Sequence, residues 1–108
     1  MIVVLTLAAA LQQIPAAAPD TSDDIVVLGK RLQEVGVRMK IDRKGRLRTC
    51  SVTKSVDDAD LDRFWCDAGV ACAATRPKDA AALTACVEGR RGEFLERLAQ
   101  VRAVNERN

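Results

Sequence analysis

Apolar and polar residues alternate strictly over 35–41, where every second residue is Val, Met or Ile. A period of two is typical of a half-buried β-strand. A turn follows, with Gly45 where a positive φ is favoured, and a second strand begins at Leu47. The step of three from Leu47 to Cys50 breaks the alternation and predicts a β-bulge near 48–49. Together the strands form a predicted β-hairpin with one apolar face that another element must cover.

Helical spacing replaces this alternation after the hairpin. Ser55 and Asp57 or Asp58 are candidate N-caps, and Arg76 with Pro77 marks the expected end of the first helix. Residues 79–104 carry a further apolar stripe, and the Gly89 to Gly92 segment predicts a division into two helices. The apolar positions at helical spacing in the first helix are Leu61, Phe64 or Trp65, Ala68 and Cys72.

The N-terminal eighteen residues contain no charged side chain. The apolar run at 2–11 is too short to span a bilayer, which needs about 20 residues, and small residues follow it at 16–18. We therefore expect 1–18 to be a signal peptide, a mature chain with no transmembrane span, and a periplasmic or secreted protein.

The remaining segments complete the predicted organisation. Residues 19–34 are predicted as a leader that is polar and acidic at 19–24, with 25–28 as a candidate short edge strand and no clear pattern at 30–34. Residues 35–104 form a small α+β domain, and 105–108 a frayed tail. The expected fold class is a β-hairpin packed on a helix, followed by a helical C-terminal half and stapled by disulfides.

Composition excludes several function classes. A chain of 108 residues holds one small domain, and the absence of His excludes His-based catalysis and His metal ligation. The formal net charge of +2 is too small to indicate a nucleic-acid binder, and the hairpin has no aromatic residue to stack on bases. No nucleophile–base pair is visible, so we expect no catalytic residue, no cofactor and no bound metal.

The four cysteines, Cys50, Cys66, Cys72 and Cys86, are an even set in a small, apparently exported chain, which predicts two disulfides. Cys66 and Cys72 are about 9 Å apart along one predicted helix. Bridged Cα atoms lie within about 7 Å, so these two do not pair. Cys50–Cys66 with Cys72–Cys86 is favoured over Cys50–Cys72 with Cys66–Cys86, and both connectivities remain open.

The stretch V-G-V-R-M-K-I-D-R-K-G-R-L-R-T-C-S-V-T-K-S, followed by D-A-D-L-D-R-F-W-C, resembles the first half of the C-terminal domain of TonB-family proteins. The resemblance covers about residues 35–68. It implies a hairpin, a Ser-rich turn and a Leu-Asp pair that opens a helix, and relatives with cysteines support the Cys50–Cys66 bridge. The strand that follows the helix in the family is missing here. The positions that carry the resemblance are Gly45, Leu47, Cys50, Val52, Ser55, Leu61 and Asp62.

Two candidate interaction features stand out. Residues 30–54 hold nine Lys or Arg and two acidic residues, which suits an anionic envelope surface, although a solvated strand face gives the same pattern. Phe64 and Trp65 are adjacent, so one is expected in the core and the other, taken as Trp65, is a candidate partner anchor.

We expect a non-enzymatic module that binds an envelope protein or peptide; the alternative is an anionic-surface binder. The basic candidates are Arg38, Lys40, Arg43, Lys44, Arg46 and Arg48.

Overall fold

A computed structural model describes residues 20–107 of the chain. It is an α+β fold in which a two-stranded hairpin packs on a helix and a helical half follows, as the sequence predicts. No helix in the described range is long and apolar enough to cross a membrane. The elements are α1 (Ser22–Glu34), β1 (Gly36–Ile41), β2 (Leu47–Lys54), α2 (Ala59–Ala73), α3 (Ala80–Gly89) and α4 (Arg91–Arg107).

The hairpin pairs β1 with β2 in antiparallel register. Lys40 lies opposite Thr49 and Ile41 opposite Leu47, so Arg48 is an extra residue in β2. The β-bulge predicted near 48–49 is therefore confirmed. Gly45 has φ +76°, as expected from the turn. A Cβ there would lie 2.7 Å from the Asp79 carbonyl oxygen, because the hairpin turn packs against the loop between α2 and α3.

Helix α2 covers the apolar face of the hairpin. Gly69 is buried in this interface, and a Cβ on it would lie 3.4 Å from both Met39 and Leu47. The chain is helical on both sides of Gly69, so this glycine does not interrupt α2. The completely buried large side chains at the centre of the core are Leu32, Leu61, Cys72 and Leu83.

Helix boundaries follow the predicted signals. Asp58 is the N-cap of α2, and its side chain accepts a hydrogen bond of 3.3 Å from the Leu61 amide. Helix α2 ends at Ala73, before the Arg76 and Pro77 pair. The predicted division near Gly89 is also present, because α3 ends there and α4 begins at Arg91.

Both disulfides have the favoured connectivity. Cys50 of β2 is bonded to Cys66 of α2, with Cα atoms 5.7 Å apart. Cys72 of α2 is bonded to Cys86 of α3, with Cα atoms 5.9 Å apart. One bridge thus fixes the hairpin to α2, and the other fixes α3 to the same helix.

The prediction for residues 19–34 is wrong over 22–34, which form α1 instead of a leader with an edge strand at 25–28. The apolar run there belongs to a helical stripe: Ile25 is half-buried, and Leu28 and Leu32 are buried in the core. Helix α4 continues to Arg107, three residues beyond the end at about residue 104 that the sequence predicts. The signal peptide predicted at 1–18 lies outside the described residues.

Candidate functional site

Strand β1 has a strand neighbour on only one side within residues 20–107. Among the residues that the structure describes, the sheet contains two strands, so the other side of β1, like the outer side of β2, is a sheet edge. The backbone N–H and C=O groups of an edge strand point outward at alternate residues and remain able to pair with a further strand. This edge is the first component of the candidate site.

An apolar groove of about 280 Å³ lies between the inner face of β1 and helix α3. Helix α2 packs more extensively on β2 than on β1, and the groove lies on the β1 side. Its strand wall is formed by Val37, Met39 and Ile41, and its helix wall by Leu83, Thr84 and Val87. The strand residues are only half-buried, so apolar surface of the hairpin remains accessible beside the open edge.

Trp65 connects this groove to the core. The sequence expects one of the two adjacent aromatic residues to be buried, and this residue is Phe64, which is 6% exposed. Trp65 is half-buried, packs edge-on against Phe64 with ring centroids 4.9 Å apart, and lines the groove. Its indole N–H donates a hydrogen bond of 3.2 Å to the Leu32 carbonyl at the end of α1. The ring is thereby held in a fixed orientation in the groove wall.

The outer face of the hairpin is basic. Arg38 lies opposite Ser51 and Lys40 opposite Thr49, so neutral hydroxyl side chains face both cations across the ladder. Both cations are exposed, and neither has an ion-pair partner among the described residues. Of the six predicted basic residues, these two alone lie on β1.

The other four basic candidates lie elsewhere on the hairpin. Arg43 and Lys44 are exposed in the turn. Arg46 and Arg48 are in contact with the Asp42 carboxylate, at 2.7 and 3.4 Å. Hydrogen bonds from the Arg46 backbone and side chain lower the pKa of Asp42 below its ordinary value. The predicted basic surface is therefore divided between free and paired cations.

A second charged cluster joins the helices on another side of the molecule. Asp58, whose side chain is only 8% exposed, accepts two hydrogen bonds of 2.8 Å from Arg102 of α4 and lies 3.5 Å from Arg31 of α1. The Arg102 hydrogen bonds lower the pKa of Asp58, although burial opposes the shift, and Asp58 in turn raises the pKa of Arg102. Sequence reasoning identified Asp58 only as a cap, because its partners lie far away in the chain.

Within residues 20–107, no group of three or more His, Cys, Asp or Glu side chains is arranged to hold a metal ion. All four cysteines are in disulfides, so no thiol nucleophile is present. The hairpin side of the molecule thus combines a strand edge, an apolar groove and a basic strand face.

Comparison with family models, with curated proteins and with solved structures found no match for this chain.

Proposed function

We propose that this protein is a non-enzymatic interaction module that binds an extended segment of a partner protein along the open edge of β1. The observation that carries the proposal is the apolar groove, because one of its walls is formed by side chains of β1, the strand that has the open edge. In strand addition, main-chain hydrogen bonds supply affinity, and pockets for alternate side chains supply specificity. A free edge and an adjacent pocket are the two parts that this mode of binding needs.

The resemblance to the C-terminal domain of TonB-family proteins supports the same role. It covers the hairpin and the start of α2. In the family a further strand follows the helix, whereas this chain continues with α3 and α4. The hairpin therefore has no third strand within the described residues, and α3 supplies a groove wall instead.

We further propose that the protein acts in the periplasm or outside the cell, as a segment at 1–18 with signal-peptide character suggests. Its two disulfides favour this location, because such bonds persist in oxidising compartments. Intact mass measured on protein from the envelope fraction tests this location. The expected mass lacks about the first eighteen residues and four thiol hydrogens. Full-length, fully reduced protein would contradict the location.

The binding function is tested by probing an array of extended peptides with the oxidised protein. Solution binding is then measured through the emission of Trp65, the single tryptophan of the chain, which lines the groove. The blocking variant is Thr84→Phe, because Thr84 is exposed on the groove wall and a phenyl ring there fills the groove. Ala85→Phe is the matched control, since Ala85 is exposed on the same helix outside the groove.

We expect peptides that bind with dissociation constants below about 100 µM, with affinity reduced about tenfold or more by Thr84→Phe and unchanged by Ala85→Phe. The proposal fails if no peptide binds in this range. It also fails if both phenylalanine variants bind peptide as well as the wild type does.

A second candidate function is binding to an anionic envelope surface. It is favoured by four exposed cations, Arg38, Lys40, Arg43 and Lys44, which have no ion-pair partner among the described side chains. Its test is sedimentation with anionic lipid vesicles. The candidate predicts binding at low salt that is lost near 0.5 M salt, where the screening length is only about 4 Å. Binding that is absent at low salt excludes it.

A further inference from the structure

Strand addition determines which residues of the bound segment face which surface of the hairpin. Successive side chains of a strand point to opposite faces of the sheet. A segment paired with β1 therefore places every second side chain on the inner face, beside the groove, and the others on the outer face. The two faces of β1 differ sharply in chemistry, so they impose different requirements on the ligand.

The inner face requires apolar side chains. Val37, Met39 and Ile41 form this face of β1, and Leu83 and Val87 lie across the groove. An acidic side chain placed there loses hydration without a partner. Glu88 is the acidic residue that lines the groove, and it is paired with Arg91 at 3.4 Å.

The outer face favours acidic side chains. Arg38 and Lys40 are exposed there, and their neighbours across the existing ladder, Ser51 and Thr49, are neutral. A strand added on the other side of β1 brings its outward side chains within about 5.5 Å of these two residues, measured between Cβ atoms. Carboxylates at those positions form the cross-strand ion pairs that the protein itself does not supply.

The same charges disfavour a second copy of this chain as the occupant. If two β1 strands paired edge to edge, the Arg38 and Lys40 side chains of one copy would lie next to the Arg38 and Lys40 side chains of the other. Like charges opposite each other across a ladder are destabilising. The charge on the strand therefore selects a different, acidic segment.

We propose that the ligand of this surface is an extended segment in which apolar and acidic residues alternate, with the apolar side chains in the groove and the acidic ones beside Arg38 and Lys40. This inference rests on the strand-addition function proposed above. It adds the chemical class of the partner segment and the residues that select it.

The test compares capped six-residue peptides, which match the six residues of β1. One alternates Val with Glu, one Val with Lys and one Val with Thr. A block peptide has the composition of the first but separates the Val and Glu residues. Binding to the oxidised protein is followed through Trp65 emission.

The variants separate selection by the strand from general attraction of negative charge. Arg38→Glu/Lys40→Glu reverses the charge on the outer face of β1. Arg43→Glu/Lys44→Glu is the matched control, because it makes the same change in net charge in the exposed turn. Both pairs lie on the solvent side of the hairpin, so neither substitution disturbs the core.

We expect the Val–Glu peptide to bind about tenfold more tightly than the Val–Lys peptide and the block peptide. The strand variant should reverse the preference between Glu and Lys, while the turn variant should retain it. Equal binding of the Val–Glu, Val–Lys and Val–Thr peptides would overturn this inference and leave the strand-addition function standing. Equal binding of the alternating and block acidic peptides would also overturn this inference. If none of the peptides binds, both this inference and the strand-addition function are overturned.

Discussion

Asp58 concentrates more interactions than any other single side chain near the start of α2. Its carboxylate caps the helix, accepts two hydrogen bonds from Arg102 and contacts Arg31. The group is nearly buried, and its partners come from α1 and α4. A buried carboxylate needs such partners, because its charge is costly to remove from water. Asp58 therefore ties three helices together.

We predict that Asp58→Asn lowers the free energy of unfolding by about 1–3 kcal/mol, because two arginines lose a charged partner while the cap is kept. Urea unfolding of the oxidised protein measures this change. Asp57→Asn is the control, since Asp57 is exposed and its φ of +58° is one that Asn tolerates. If Asp57→Asn lowered the free energy of unfolding as much as Asp58→Asn does, the stabilising role assigned to Asp58 would be contradicted.

The same carboxylate predicts a pH dependence. The folded-state pKa of Asp58 is lowered from its ordinary value of 3.8, chiefly by Arg102. Its contribution to stability is therefore present above the unfolded-state pKa and is lost as the pH falls through the folded-state pKa. The stability difference between the wild type and Asp58→Asn should shrink below about pH 4. A difference that stays constant from neutral to acidic pH would contradict this explanation.

Gly45 is the residue at which the backbone itself is most constrained. It combines a φ of +76° with a close approach to the carbonyl oxygens of Asp79 and Pro77. We predict that Gly45→Ala destabilises the protein by about 1–3 kcal/mol in urea unfolding. Gly92→Ala serves as control, because nothing lies within 4 Å of a Cβ there and Ala suits a helix. A neutral Gly45→Ala would show that the turn does not pack as described.

At the scale of elements, α1 is part of the core and not an appendage. Leu32 is completely buried, whereas Val26 on the same helix is 57% exposed. We predict that Leu32→Ala costs about 2–5 kcal/mol of stability, while Val26→Ala stays within about 0.5 kcal/mol. Chemical denaturation of both variants measures the contrast. Equal, small effects would mean that residues 22–34 behave as the leader expected from the sequence.

The two disulfides hold different elements to α2, and removing each one should lower the stability by a different amount. They span 16 and 14 residues, so the chain-entropy model assigns each about 3 kcal/mol. Cys72 is completely buried, so its removal also leaves a cavity. We predict that Cys72→Ala/Cys86→Ala lowers the urea midpoint more than Cys50→Ala/Cys66→Ala. The reverse order would contradict the packing of α3 against α2.

Local signals explain which elements the sequence predicts. The hairpin could be predicted because strict alternation over 35–41 and a glycine turn are short-range patterns. Helix α1 was missed because the four apolar residues at 25–28 also suit a strand, and only the further spacing to Leu32 reveals a helical stripe. The groove could not be predicted from the sequence, because it depends on how α3 packs beside β1. Trp65 was identified, but its hydrogen bond to Leu32 joins residues 33 positions apart.

At the scale of the whole molecule, the residues that stabilise the fold lie apart from the surfaces that we propose bind a partner. The core, the two disulfides and the Asp58 cluster hold the helices around α2. The open edge of β1, the groove and the exposed cations lie on the hairpin side, where the packing is less complete. A small domain with a rigid frame and an open strand edge next to an apolar wall is suited to binding a segment that adopts its structure on binding.

Amide hydrogen exchange over residues 36–41, with and without a saturating Val–Glu alternating peptide, tests the central claim most directly. If the peptide adds to the open edge, the outward-pointing amides of β1 should exchange more slowly when it is bound, and those at alternate positions already bonded to β2 should change little. The amides of β2 that face away from β1 serve as the internal control and should not respond. Protection that appears only on β2, or no change along β1 despite saturation, would contradict binding at this edge.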